Sequence, residues 1–181
     1  MPRYAAFLRA VNLGRVRQIG SAELSAVFED AGFENVGTFR TSGNVVFDAE
    51  RGAAAALAAR IERALADATG HEVPVFLRAQ REVLAIAAQR PFPPAIVEGT
   101  QGKLQVMLLP ARLRPAVAKQ VAALATDADR LAFGDRELYW LPSGGTQRAA
   151  LDLKAIERMI GPTTMRTMGT VEQLAAKFFA P

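Results

Sequence analysis

The sequence predicts an α+β protein built as a tandem repeat of ferredoxin-like halves of the βαββαβ type, with additional C-terminal helices. Three observations lead there. Tyr4 to Leu77 alternates strand-like and helix-like patterns in the order βαββαβ; a Pro/Gly-rich stretch interrupts the chain; and strand, helix and hairpin patterns then return in the same order. The boundaries that follow are residues 1–90 for the first half with a linking helix, 91–102 for the connection, and 103–181 for the second half with the C-terminal helices.

Tyr4 to Val11 is mostly apolar and reads as the first strand, ending at Asn12-Leu13-Gly14 and a basic loop with Arg15 and Arg17. Ser21 is placed to cap a first helix with Glu23 in its first turn, Leu24, Val27 and Phe28 recur at helical spacing, and Gly32 supplies the stop. Val36 to Arg40 and Asn44 to Asp48 form a hairpin through Thr41-Ser42-Gly43, where glycine permits a positive φ and Asn44 tolerates one. Leu57, Ile61 and Leu65 lie on one face of a helix that starts near Ala53 and stops at Gly70. Val73 to Leu77 is a strand whose proline belongs on a sheet edge, and a linking helix runs from Gln80 to Gln89.

Pro91, Pro93 and Pro94 open the connection. Beyond it, Leu104 to Leu109 is a strand, Pro115 starts a helix carrying Val117, Val121 and Leu124, and Arg130–Phe133 pairs with Glu137–Leu141 across Gly134-Asp135. Asp152 to Ile160 reads as a helix stopped by Gly161-Pro162. An irregular link follows, then a last helix capped by Thr170 with Gln173 three residues on.

Composition narrows the function classes. Of 181 residues half are hydrophobic and 22% charged, as in a globular chain. The absence of cysteine excludes disulfides and cysteine-based zinc or nucleophile chemistry, and agrees with a reducing compartment, so a cytoplasmic location is expected. No apolar run approaches the roughly 18 residues of a spanning helix, so no membrane partner is expected. The net charge of +4 slightly favours nucleic acid or phosphorylated ligands.

In a βαββαβ sheet the first and third strands are antiparallel neighbours at the centre, so the end of one lies by the start of the other. Asn12 is therefore expected to approach Ser42, Gly43 and Asn44, with Arg9 nearby and Arg15 and Arg17 in the adjoining loop. Val45 and Phe47 point one way and Val46 the other, so both faces of that strand read as buried, and the cluster is expected in or near a crevice between halves.

Leu8-Arg9-Ala10-Val11-Asn12-Leu13-Gly14, Gly32-Phe33, Ser42-Gly43-Asn44-Val45-Val46-Phe47, Gly161-Pro162-Thr163-Thr164-Met165-Arg166 and Thr170-Val171 together resemble domain of unknown function family 1697. The resemblance runs nearly end to end and implies an α+β bacterial protein with ferredoxin-like parts and no established activity. That family's usual Leu-Arg-Gly-Ile-Asn-Val-Gly-Gly start and Thr-Arg-Asn-Trp-Asn-Thr end are altered here. Ala10 replaces the first of those glycines, Arg15 the last, and Thr167, Met168 and Gly169 stand where Asn, Trp and Asn are usual. A basic residue usual near Ala149 or Ala150 could be supplied by Arg148. These departures imply a weakened or altered site.

The candidate ligand-binding set is Arg9, Asn12, Ser42, Gly43, Asn44, Arg166 and Thr170, and each member has a plainer reading beside the functional one. Ser42, Asn44 and Asn12 can close turns, and Arg9 can anchor a ligand through its forked donors or be a paired structural arginine. Arg166 and Thr170 lie where a helix start favours an anion, or they form a cap beside a solvent-facing arginine. Ser143-Gly144-Gly145-Thr146 lacks the ending of a P-loop. His71, the sole histidine, suits a helix end, and Tyr139 and Trp140 suit a core. No catalytic constellation emerges: Asp48 and Asp152 are isolated, the latter reads as a cap, and neither a metal nor a cofactor is expected. Binding of a small anionic or phosphorylated ligand is the leading reading. The alternatives are a nucleic-acid-binding module, for which the central strand offers only Phe47 as an aromatic, and a protein-partner module with no small ligand.

Overall fold

The computed structural model describes residues 1–12, 18–40 and 43–179. The expectations for Leu13, Gly14, Arg15, Arg17, Thr41 and Ser42, and for the side chain of Arg148, lie outside the described residues. The chain is mixed α+β. Among the described residues it has two four-stranded antiparallel sheets and seven α-helices.

The first run is β1 (Arg3–Leu8), α1 (Ser21–Asp30), β2 (Glu34–Thr38), β3 (Asn44–Asp48), α2 (Ala54–Thr69), β4 (Val75–Ala79) and α3 (Gln80–Ala87). After α4 (Pro94–Glu98) come β5 (Gln105–Leu108), α5 (Pro115–Ala122), β6 (Asp129–Phe133), β7 (Glu137–Pro142), α6 (Leu153–Ile160), β8 (Thr164–Thr167) and α7 (Met168–Phe178). The chain divides into two compact units, one of residues 1–85 with those from Leu174 onward, the other of Ile86–Gln173.

In the first unit the sheet order is β2-β3-β1-β4, with β1 antiparallel to both central and edge neighbours. Tyr4, Ala6, Leu8, Val45, Phe47 and Leu77 point to one face, where Phe28 of α1 and Leu57, Ile61 and Leu65 of α2 complete the core. Phe33 and Phe28 lie 4.6 and 5.4 Å from Phe47 between ring centroids, so one aromatic anchors both the helix and the sheet. Burying each such ring contributes roughly 1.5–3 kcal/mol. Val46 on the other face is only 1% exposed, so β3 is buried on both faces as its unbroken apolar run implied. The β4 edge is closed by carboxylates: Glu62 accepts from the Val75 amide at 3.0 Å and Glu82 from the Ala79 amide at 2.8 Å.

The second unit repeats the element order, with sheet order β6-β7-β5-β8. The registers correspond as well. Phe7 faces Asn44 as Leu108 faces Glu137, and Ala5 faces Arg78 as Val106 faces Arg166. Trp140 is fully buried, its indole N–H donating to Asp129 at 2.8 Å, while the other Asp129 oxygen accepts from the Ala150 amide at 3.2 Å.

Several expectations need correction. Ser21 is the first helical residue of α1 and Gly20 the cap, with no side-chain capping bond. Within the Pro/Gly-rich connection Pro94–Glu98 is helical, proline occupying the first turn where its missing N–H costs nothing. The irregular link is strand β8, whose Thr164 and Arg166 are buried while Met165 and Thr167 are half-buried. The last helix begins at Met168, and its capping oxygen is that of Thr167, which accepts from the Thr170 amide at 3.2 Å; Thr170 itself lies in the first turn. Asp152 does cap α6, accepting from the Ala155 amide at 2.8 Å.

Candidate functional site

The end of β1 and the start of β3 are joined directly. Phe7 faces Asn44 in the ladder, and the Leu8 amide donates to the Gly43 carbonyl at 2.8 Å. Gly43 has φ 69°, and a Cβ there would stand 3.0 Å from the Leu8 Cβ and 3.2 Å from Val11 Cγ1. Glycine is thus required twice, for the left-handed backbone and for the close approach of the two turns.

Arg9 lies just beyond β1 rather than within it, its amide donating to the Pro74 carbonyl at 3.0 Å. The next residue, Ala10, takes φ 57°, and Arg40 on the facing turn takes the same value. Such backbone costs a non-glycine residue roughly 1–2 kcal/mol. The Arg40 guanidinium also lies over the Phe39 ring at 5.5 Å, and Arg9 and Arg40 belong one to each of the two joined turns.

The two asparagines hold the loops. Asn12 Oδ1 accepts from the Ile19 amide at 2.9 Å, tying together the ends of the segment between them. Asn44 is buried, its Nδ2 donating to the Phe39 carbonyl at 2.9 Å, while the Phe39 amide donates to the Asn44 carbonyl at 2.9 Å. These contacts position the backbone of both turns. Ser42, which Asn12 is expected to approach, lies outside the described residues.

Arg166 and Thr170 belong to the second unit. The Arg166 guanidinium donates to Thr164 Oγ1 at 2.9 Å and to the Met165 carbonyl at 2.8 Å, and burial pushes its pKa down to about 10. A solvent-facing arginine is therefore not what stands here. Arg78, at the corresponding register position of the first unit, donates likewise to the carbonyl of its preceding residue, Leu77, at 3.0 Å. Thr170 Oγ1 lies 2.9 Å from Thr167 Oγ1.

The remaining candidates stay structural. Gly144 and Gly145 lack positive φ, so Ser143-Gly144-Gly145-Thr146 does not form the alternating backbone nest that cradles phosphate. Tyr139 and Trp140 are core residues, and His71 follows the left-handed Gly70 at the end of α2. Asp48 has no carboxylate beside it among these contacts but accepts from Arg3 Nε at 2.8 Å, Arg3 NH2 at 3.0 Å and Asn35 Nδ2 at 2.8 Å. The Arg3 guanidinium beside it holds its carboxyl below the usual range, against the opposing effect of burial. Among the described residues no group of three or more His, Asp or Glu side chains is poised to hold a metal ion. The left-handed Ala10 and Arg40 were not found by residue pattern; the only signal was the glycine that the family resemblance implies at Ala10.

A family model described as "Protein of unknown function (DUF1697)" matches residues 1–139. The solved structure of a conserved bacterial protein, SP0830 from Streptococcus pneumoniae, is similar over 98% of this chain and 99% of its own, with TM-score 0.76 and 20% identity. At that identity the likeness shows the fold alone. No curated protein matches the chain.

Proposed function

We propose that this chain, which belongs to the family of proteins of unknown function DUF1697, binds a small anionic or phosphorylated ligand at the joined turns after β1 and before β3. The observation that carries the reading is the pair of left-handed non-glycine residues, Ala10 and Arg40, one on each of the two turns linked by the Leu8–Gly43 bond. Strained backbone of this kind concentrates at ligand-binding sites, where surrounding bonds hold it in place. Here Asn12 and Asn44 supply those bonds, and Arg9 and Arg40 supply positive charge. The residues proposed to form the site are Arg9, Asn12, Ser42, Gly43 and Asn44, of which Ser42 lies outside the described residues. Arg166 and Thr170 of the second unit form a second candidate set, tested separately.

The same proposal includes the origin of the fold. Matching element order, sheet order and register, together with the paired Arg78 and Arg166, support descent from a duplicated ferredoxin-like half. The absence of cysteine and of a helix long and apolar enough to cross a membrane, among the described residues, supports a cytoplasmic setting.

A thermal-shift screen of phosphorylated and carboxylated metabolites tests the site. The expected result is a stabilising ligand whose affinity falls about tenfold or more in Arg9→Ala, the loss of one charge-assisted contact. If every ligand found keeps its affinity in Arg9→Ala, the reading is wrong; Arg166→Ala tests the second set in the same way.

A further inference from the structure

A separate groove in the second unit, of about 280 Å³, is walled by Ala95, Ile96 and Leu141 and carries Asp127, Arg130 and Ser143. We propose that it binds a small zwitterion of the α-amino acid class with an apolar side chain. Arg130 and Asp127 bear opposite charges in one groove, yet among the described residues neither is engaged in a hydrogen bond or ion pair through its side chain. A molecule carrying both a carboxylate and an ammonium satisfies both at once. The Arg130 guanidinium takes the carboxylate, Asp127 the ammonium, and the apolar wall the side chain. The volume lies just under the roughly 300–1,000 Å³ of pockets that hold drug-sized ligands, as suits a smaller molecule.

The walls are held rigidly, which limits the ordering cost of binding. Thr126 and Asp129 exchange backbone hydrogen bonds at 3.0 and 3.2 Å around the turn that presents Asp127, and the Ser143 amide donates to the Ala128 carbonyl at 2.7 Å. On the opposite side Thr100 Oγ1 donates to the Pro142 carbonyl at 3.0 Å and accepts from the Gly102 amide at 3.2 Å. Gly102 has no alternative here, because a Cβ would fall 1.7 Å from the Pro142 carbonyl oxygen. The groove involves none of the residues assigned to the anionic site, so either proposal can fail alone.

The full chain labelled with nitrogen-15 is titrated with L-leucine, N-acetyl-leucine and leucinamide, following the amides of Thr100, Arg130 and Ser143. Leucine is expected to shift these amides saturably. N-acetyl-leucine, without the ammonium, and leucinamide, without the carboxylate, are each expected to bind about tenfold more weakly or worse. Arg130→Gln and Asp127→Asn, folded by circular dichroism, are expected to weaken leucine to the same degree. No saturable shift up to about 10 mM leucine, about tenfold above a millimolar Kd, overturns the proposal. So does binding of either derivative as tightly as leucine.

Discussion

Replacing Asp48 with asparagine removes the charge at the point where β1, β2 and β3 are tied together. The carboxylate receives two bonds from the Arg3 fork and one from Asn35, the residue that takes φ 49° at the irregularity in β2. A hydrogen bond to a charged group contributes roughly 1.5–3 kcal/mol. Two forked bonds would exceed that, but the Arg3 side chain is 34% exposed against 12% for Asp48, so solvent screens the pair. Asparagine also keeps one oxygen acceptor while turning an amide N–H₂ toward the guanidinium. The net loss is about 2 kcal/mol at neutral pH.

Urea unfolding followed by far-ultraviolet circular dichroism reads this loss as a lowered midpoint at unchanged slope. The folded carboxyl titrates below its unfolded value near 3.8. Its contribution is therefore complete above that pH and fades as pH falls through the depressed folded value. The gap between wild type and Asp48→Asn should narrow in strongly acidic solution. A gap of equal size at pH 7 and at about pH 2.5 would show that the loss arises from packing rather than charge, refuting the account.

Further substitutions test other parts of the structure. Gly43→Ala imposes left-handed strain and displaces Leu8 and Val11, so urea unfolding should show a loss of about 2–3 kcal/mol. Ala10→Gly relieves strain but frees the unfolded chain, and calorimetry should find a gain of no more than about 1 kcal/mol. Asp129→Ala leaves the Trp140 indole N–H and the Ala150 amide without their acceptor in a buried site. It should cost about 2–4 kcal/mol and move the emission of this sole tryptophan to longer wavelength. Unchanged emission would place the indole bond elsewhere.

The elements with strong periodicity were legible in the sequence. Leu57, Ile61 and Leu65 mark α2 and Gly70 its left-handed end, and the bounds of β3 follow from Asn44-Val45-Val46-Phe47-Asp48. Strand β8 was hidden because it is only four residues long and its central Met-Arg pair interrupts any apolar run, despite a threonine at each end; pairing with β5 makes it a strand. Its last residue, Thr167, also provides the cap of α7, so no turn residues separated the two elements. At the candidate site, pattern and topology together placed Gly43 and Asn44 near the end of β1. They could not reveal left-handed backbone at Ala10 and Arg40, which depends on how the connections close rather than on residue preference.

Residue 178 completes what residue 3 begins. Arg3 donates to the Phe178 carbonyl at 3.3 Å, and the Phe178 ring meets Phe39 edge-on at 6.2 Å and lies against Gly37. During synthesis the amino-terminal sheet therefore emerges from the ribosome long before the aromatic that covers its β2 edge exists. Until some 140 further residues have been added, Gly37 and Phe39 present a bare strand margin, the time at which chaperone capture or mispairing with another nascent chain has its opening.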